Sequence, residues 1–278
     1  MGKSDSTLIA IGGGEISESP EIMEEIRRVQ RRVSNPRMVV LTIATNRPEE
    51  AKEKYSKVFR GADFKHVDFI DVSLREDAFN EKSIDKVRQA DILFFTGGDQ
   101  LNITSLMGGS PLHDLVHQRH DEGIVIAGSS AGAAMMSSSM ITTGESNAAP
   151  MVSGVKIAPG MNLIDGTIID THFSQRGRYG RLLTAVAHYP QAIGIGIDEK
   201  TAIIKKNGHM KIVGNGVITI IDGSQMRHSD LAYKRDHQPV GLFGVCVHTL
   251  PSGYKYDIKA REPEPSTMKK MAGVAGDL

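Results

Sequence analysis

The hydrophobic pattern along this chain changes period several times, and each change marks an element. Short, nearly unbroken apolar runs recur at residues 7–11, 38–43, 91–96, 124–127, 166–170 and 192–197. Runs of this length without alternation predict strands buried on both faces of a parallel sheet. Between them the period lengthens to that of a helix. Ile22, Ile26, Val29 and Val33 share one face of a helix opened by Pro20, and Ala51, Tyr55, Val58 and Phe59 share one face of a helix over 49–60 closed by Gly61. Shorter helices are predicted over 83–89, 112–119 and 178–188, and residues 67–72 alternate as an edge strand does. Strands alternating with helices predict an α/β fold class, a mostly parallel sheet flanked by helices.

The pattern then loosens. Residues 138–162 are rich in Ser, Thr, Gly and Pro and read as a long loop carrying short strands. Residues 201–206 and 210–213 flank Asn207-Gly208-His209, a hairpin signal, and 216–221 and 241–250 predict further antiparallel strands. No core pattern is visible over 259–278. The expected organisation is a single α/β domain over 1–258 followed by a flexible C-terminal extension over 259–278.

Composition narrows the class. The chain has 278 residues, 40% hydrophobic and 24% charged, which is enough to bury a core without staples. Its formal net charge is zero, which argues against a dedicated nucleic-acid or membrane-surface binder. The single cysteine, Cys246, excludes an internal disulfide, and its apolar surroundings predict a buried strand residue. The polar N-terminus and the lack of a run of about 18 apolar residues lead to the expectation of a cytoplasmic protein.

The chemistry concentrates at strand ends, where α/β sheets gather their ligand sites. Gly128-Ser129-Ser130-Ala131-Gly132 has the G-x-S-x-G form after a clean strand and before a small, apolar helix start. Such a turn holds the Ser130 hydroxyl at its apex and points the Ala131 N–H and the helix N-terminus at the same place. A backbone N–H of the Gly97-Gly98 turn is the expected second oxyanion donor, which nominates Gly98 beside Ala131. A serine needs a base, and the base an orienting acid. Among ten histidines, His172 directly follows a buried strand and is the favoured base; Glu199 fits as the acid, with Asp198 beside it as the rival. Arg176, Arg178 and Arg181, together with Gln100, suit recognition of carboxylates, and Asp99 and Asp170 offer negative groups. His113, His117 and His120 share one helix face but lack the other features of a zinc site, so neither a metal nor a cofactor is expected. The Gly12-Gly13-Gly14 loop lacks the spacing and the lysine of a phosphate loop and reads as a tight turn that lets other loops approach.

Three of these stretches carry a resemblance. Gly97-Gly98-Asp99-Gln100, the segment 128–134 and Asp170-Thr171-His172-Phe173-Ser174-Gln175-Arg176-Gly177-Arg178-Tyr179-Gly180-Arg181 are similar to the cyanophycinases, within the serine peptidase family that includes aspartyl dipeptidase (peptidase E). The similarity runs from about Leu8 to Thr249, and the third motif is its most specific part. The resemblance implies a class I glutamine-amidotransferase-like (flavodoxin-like) fold and a homodimer. It implies hydrolysis, through an acyl-enzyme, of cyanophycin, a poly-aspartate whose β-carboxylates carry arginine, to β-Asp-Arg dipeptides; a related exopeptidase acting on short Asp-containing peptides is the alternative. Matched position by position, it implies Ser130 as nucleophile, His172 as base and Glu199 as its orienter, with Gln100, Asp170, Thr171, Arg176, Arg178 and Arg181 in the substrate site. Thr171 departs from the family pattern, which has Gln there, and so predicts altered selectivity for the residue on the β-carboxylate.

Overall fold

A computed structural model of the chain describes residues 6–266. In chain order the first half contains β1 (Thr7–Ile11), α1 (Pro20–Arg27), β2 (Arg37–Leu41), α2 (Pro48–Gly61), β3 (His66–Ile70), α3 (Glu81–Arg88), β4 (Ile92–Phe95), α4 (Gln100–Met107), α5 (Pro111–Asp121), β5 (Val125–Ser129) and the single turn α6 (Ala131–Ala134). Then follow β6 (Ser139–Gly144), β7 (Val155–Pro159), β8 (Thr167–Thr171), α7 (Tyr179–His188) and β9 (Ile193–Ile197). The last part is all β: β10 (Thr201–Lys206), β11 (His209–Gly214), β12 (Val217–Asp222), β13 (His228–Ser229), β14 (Leu242–Phe243), β15 (Cys246–Pro251), β16 (Lys255–Asp257) and β17 (Glu262–Glu264).

The central sheet runs β17-β16-β11-β10-β1-β5-β4-β2-β3. From β1 to β3 every pairing is parallel, and β10 joins β1 antiparallel to begin the outer half. The period-2 geometry of a strand sends Leu8 and Ala10 to one face and Ile9 and Ile11 to the other. The first face packs under α3, α4 and α5, and the second under α1 and α2, where the rings of Tyr55 and Phe59 each lie 5.0 Å from that of Phe94. Both faces are therefore dry, which is why these strands read as unbroken apolar runs. Asn207 and Gly208 both take positive φ, as a two-residue hairpin between β10 and β11 requires.

Three features differ from the sequence expectation. β8 and β9 pair in parallel but belong to a second, four-stranded sheet, β15-β12-β9-β8, rather than to the central one. Consecutive parallel strands do not reveal which sheet they join, because both sheets offer them the same burial. Cys246 is exposed, because β15 is the outer edge of that second sheet. Finally, α4 is a full helix where the apolar pattern predicts none; Asp99 caps it, its carboxylate accepting from the Leu101 N–H at 2.8 Å. Of the expected extension, residues 262–264 form β17 against β16, while 267–278 lie outside the described residues. No helix among the described residues is long and apolar enough to cross a membrane.

Candidate active site

The two sheets meet where β1, β5, β8 and β9 end. The Gly12-Gly13 turn after β1 joins them: its carbonyl oxygens accept from the His172 N–H (Gly12, 2.8 Å) and the Lys200 N–H (Gly13, 2.9 Å). This brings the ends of three separate strands within reach of one another.

Ser130 sits at φ 54°, ψ −111°, between β5 and α6, and its own N–H donates to the Ile11 carbonyl at 2.9 Å. The turn is possible because Gly132 has no side chain; a Cβ there would lie 2.2 Å from the Phe95 carbonyl oxygen. The Ser130 Oγ lies 2.8 Å from His172 Nε2, and His172 Nδ1 lies 2.6 Å from Glu199 Oε1. With Glu199 ionised, Nδ1 carries the proton and Nε2 is left free to accept one from the serine. His172 also holds a positive φ of 48°, so both members of the pair stand in the sparsely populated left-handed region. Its ring rests on Gly13, where a Cβ would lie 2.2 Å from Cε1. Burial pulls the His172 pKa below its ordinary value of 6.5; the hydrogen bond to Glu199 works against that, while Arg176 and Arg178 add to it.

Asp198 is not the imidazole's partner. It is buried, and its carboxylate accepts from the Ser174 N–H at 3.0 Å and the Val217 N–H at 3.2 Å. It thereby fastens the turn after His172 to the strand end that carries Glu199. The Glu199 N–H donates to Gln175 Oε1 at 3.0 Å, a brace that no sequence signal announces. Among the described residues no hydrogen bond uses the N–H of Gly98 or of Ala131, so neither donor is committed elsewhere.

Ser130 opens onto a cleft of about 210 Å³ lined by Gln100, Thr171, Arg176, Arg178 and Arg181, among others. Asp170 forms its floor. The Asp170 side chain is 3% exposed and takes Arg181 in a forked pair, with Nε at 2.6 Å, and Arg178 Nη1 at 3.2 Å. Both of its oxygens are therefore occupied by this chain's own arginines. Arg178 also donates to the Thr171 carbonyl at 2.5 Å, and burial lowers its pKa to about 10, which leaves it charged at neutral pH. Arg176 is exposed and makes no ion pair among the described residues. Gln100 Nε2 donates to the Ile141 carbonyl at 2.5 Å, so the β6–β7 hairpin, within the stretch that reads from sequence as a long loop carrying short strands, walls the cleft.

A larger hollow of about 500 Å³ opens at the other end of the strands, where Ser6 Oγ lies 2.8 Å from His120 Nε2. Ser6 leads into β1 rather than into a helix. Among the described residues, the cleft at Ser130 is where a hydroxyl, an imidazole and a carboxylate stand in hydrogen-bonded series.

Comparison with known proteins bears on the family and the fold. The sequence pattern described as peptidase family S51 matches residues 8–213. The chain is 31% identical over 262 residues to a cyanophycinase of Geminocystis herdmanii, covering 93% of this chain and 96% of the relative. It is 30% identical over 265 residues to a cyanophycinase of Trichormus variabilis, covering 94% and 88%. Among solved structures, a peptidase from an acI-B1 Actinobacterium superposes with a TM-score of 0.68 at 21% identity, covering 92% of this chain and 98% of that one; it bears on the fold alone.

Proposed function

Since this chain belongs to peptidase family S51 and is a serine peptidase, we propose that it hydrolyses cyanophycin, releasing β-Asp-Arg dipeptides through an acyl-enzyme. The observation that carries the reading is the hydrogen-bonded series Ser130, His172, Glu199 at the mouth of an arginine-lined cleft.

In this reading His172 Nε2 removes the proton as Ser130 Oγ attacks a main-chain carbonyl carbon of the substrate. The carbonyl oxygen becomes an oxyanion and accepts from the Gly98 and Ala131 N–H groups. Glu199 keeps the imidazole oriented and stabilises it while it is charged. The tetrahedral intermediate collapses as His172 gives its proton to the leaving amine, leaving an ester on Ser130. Water, deprotonated by the same imidazole, then attacks the ester and restores the serine. Arg176 and Arg178 are the guanidiniums with capacity left for a substrate carboxylate. Asp170 and Arg181 are spoken for by each other, and Asp170 also holds Arg178. Thr171 lines the cleft with a hydroxyl in place of the longer amide that the resemblance implies there, which alters the selectivity for the group on the β-carboxylate.

The test is incubation of insoluble cyanophycin with the protein and with its Ser130→Ala variant, followed by mass spectrometry of the soluble products. Dipeptide release by the unsubstituted protein alone is expected. No release by either, with cleavage of short Asp-containing peptides instead, would refute the substrate; equal release by both would refute Ser130 as nucleophile.

A further inference from the structure

We propose that His209, Asp257 and Glu264 bind a divalent transition-metal ion such as zinc, pinning the last described strands to the central sheet. The three residues are far apart in sequence, which hides them there, but β11, β16 and β17 are neighbours. His209 stands opposite Asp257 across one antiparallel pair, and Glu264 stands opposite Lys255 across the next. Side chains two residues apart on a strand share a face, so all three point to the same side. One ligand atom from each lies within 4.8 Å of the other two. His209 Nδ1 is 3.5 Å from Glu264 Oε1 and 3.9 Å from Asp257 Oδ2. Ligands at zinc bond lengths in a tetrahedron stand roughly 3.4 Å apart, so a small rotation of Glu264 closes the set.

Two further observations favour an ion over a plain charge cluster. The His209 Nδ1 atom is shut off from solvent, yet it hydrogen-bonds to neither carboxylate beside it. The ring as a whole is 43% exposed, and its inward nitrogen stands at ion-pair distance from both carboxylates without the geometry of a hydrogen bond to either. Moreover, Asp257 is fixed by its own turn. Its Oδ1 accepts from the Lys259 and Ala260 N–H groups at 2.8 Å each, which turns Oδ2 toward His209. Such support of a ligating carboxylate is typical of metal sites. Lys211 and Lys255 line the adjoining hollow, and Lys211 is already ion-paired with Glu25 at 2.8 Å, so the two carboxylates remain for the ion. One imidazole and two carboxylates are a donor set that zinc, cobalt(II) and manganese(II) accept. The site sits beside the β10–β11 hairpin tip, at the edge of the sheet opposite Ser130, so its role is to hold the fold and it does not depend on the substrate assignment.

The test uses the full chain stripped of metal. Zinc is titrated by calorimetry, the cobalt(II) form is read by its visible absorption, and both are repeated on His209→Gln, Glu264→Gln and His117→Gln. Expected are one saturable equivalent of zinc, a higher Tm with zinc, tetrahedral cobalt bands, and affinity weakened at least about tenfold in His209→Gln and Glu264→Gln but not in His117→Gln. Absence of saturable binding would overturn the proposal. So would binding that persists in both His209→Gln and Glu264→Gln, or that is lost in His117→Gln, which would move the ion to the α5 histidines.

Discussion

Replacing Asp170 by alanine separates two roles for the most buried acid of the site. If Asp170 were chiefly a substrate contact, its loss would weaken binding and leave the fold intact. The geometry argues otherwise. The carboxylate is 3% exposed and is the shared counter-charge of two guanidiniums, Arg178 and Arg181, which are themselves 12% and 8% exposed. Alanine leaves both cations under the cleft without a counter-charge, with only the Thr171 and Gly144 carbonyls as remaining acceptors. Removing one partner of a buried ion pair costs about 3–5 kcal/mol, far more than the pair's net contribution, because the remaining charge stays desolvated. For a chain of this length that corresponds to a Tm lower by roughly 6 to 20 °C. Asp170→Asn, which keeps an acceptor but no charge, should fall between. Thermal unfolding followed by circular dichroism, with denaturant unfolding as a second measure, gives the number. A Tm within about 2 °C of the unsubstituted protein, accompanied by a higher KM, would refute this reasoning and return Asp170 to the substrate.

Three further outcomes are expected. The acid limb of kcat/KM should have an apparent pKa below 6.5, since burial lowers that of His172 and only the neutral ring can accept the serine proton; in Glu199→Gln the limb should move to still lower pH while kcat falls, and a limb above 6.5 would contradict the assignment. Gly13→Ala should reduce kcat by about 10²-fold or more with the fold retained by circular dichroism, because its Cβ would sit 2.2 Å from the His172 ring; near-normal activity would show that the ring is not seated there. Thr171→Gln should change the ranking of Arg-bearing against Lys-bearing β-aspartyl substrates, measured by competition; an unchanged ranking would remove Thr171 from selectivity.

Much of the fold is legible in the sequence because local physics and global architecture agree over the first half of the chain. Apolar runs such as Ile92–Phe95 are buried on both faces, and Asn207-Gly208 permits little other than the turn it makes. The G-x-S-x-G stretch announces its turn because few sequences tolerate that approach. What stays hidden depends on pairings that sequence does not encode locally. Nothing in residues 167–171 or 193–197 tells which of two sheets they join, and Cys246 looks buried until β15 is known to be an edge. The α4 helix is hard to see because it is short, exposed Leu101 adds an apolar residue off the Ile103, Leu106 and Met107 stripe, and its start depends on a cap. That Asp170 and Arg181 pair with each other is also hidden, because charge in a sequence does not say whether a partner already satisfies it.

Ser130 and His172 both hold positive φ without being glycine, and such conformations cost of order 1–3 kcal/mol each. At these two positions the strain falls on residues that the proposed chemistry needs, and the surrounding core has to overrule it. Selection for stability alone would therefore erode these two positions first. Ser130→Gly would relax its turn, since glycine accepts that backbone freely, and would leave a sturdier protein with an empty elbow. Within this family, sequences that have exchanged the serine for glycine would be expected to keep the fold after giving up the reaction.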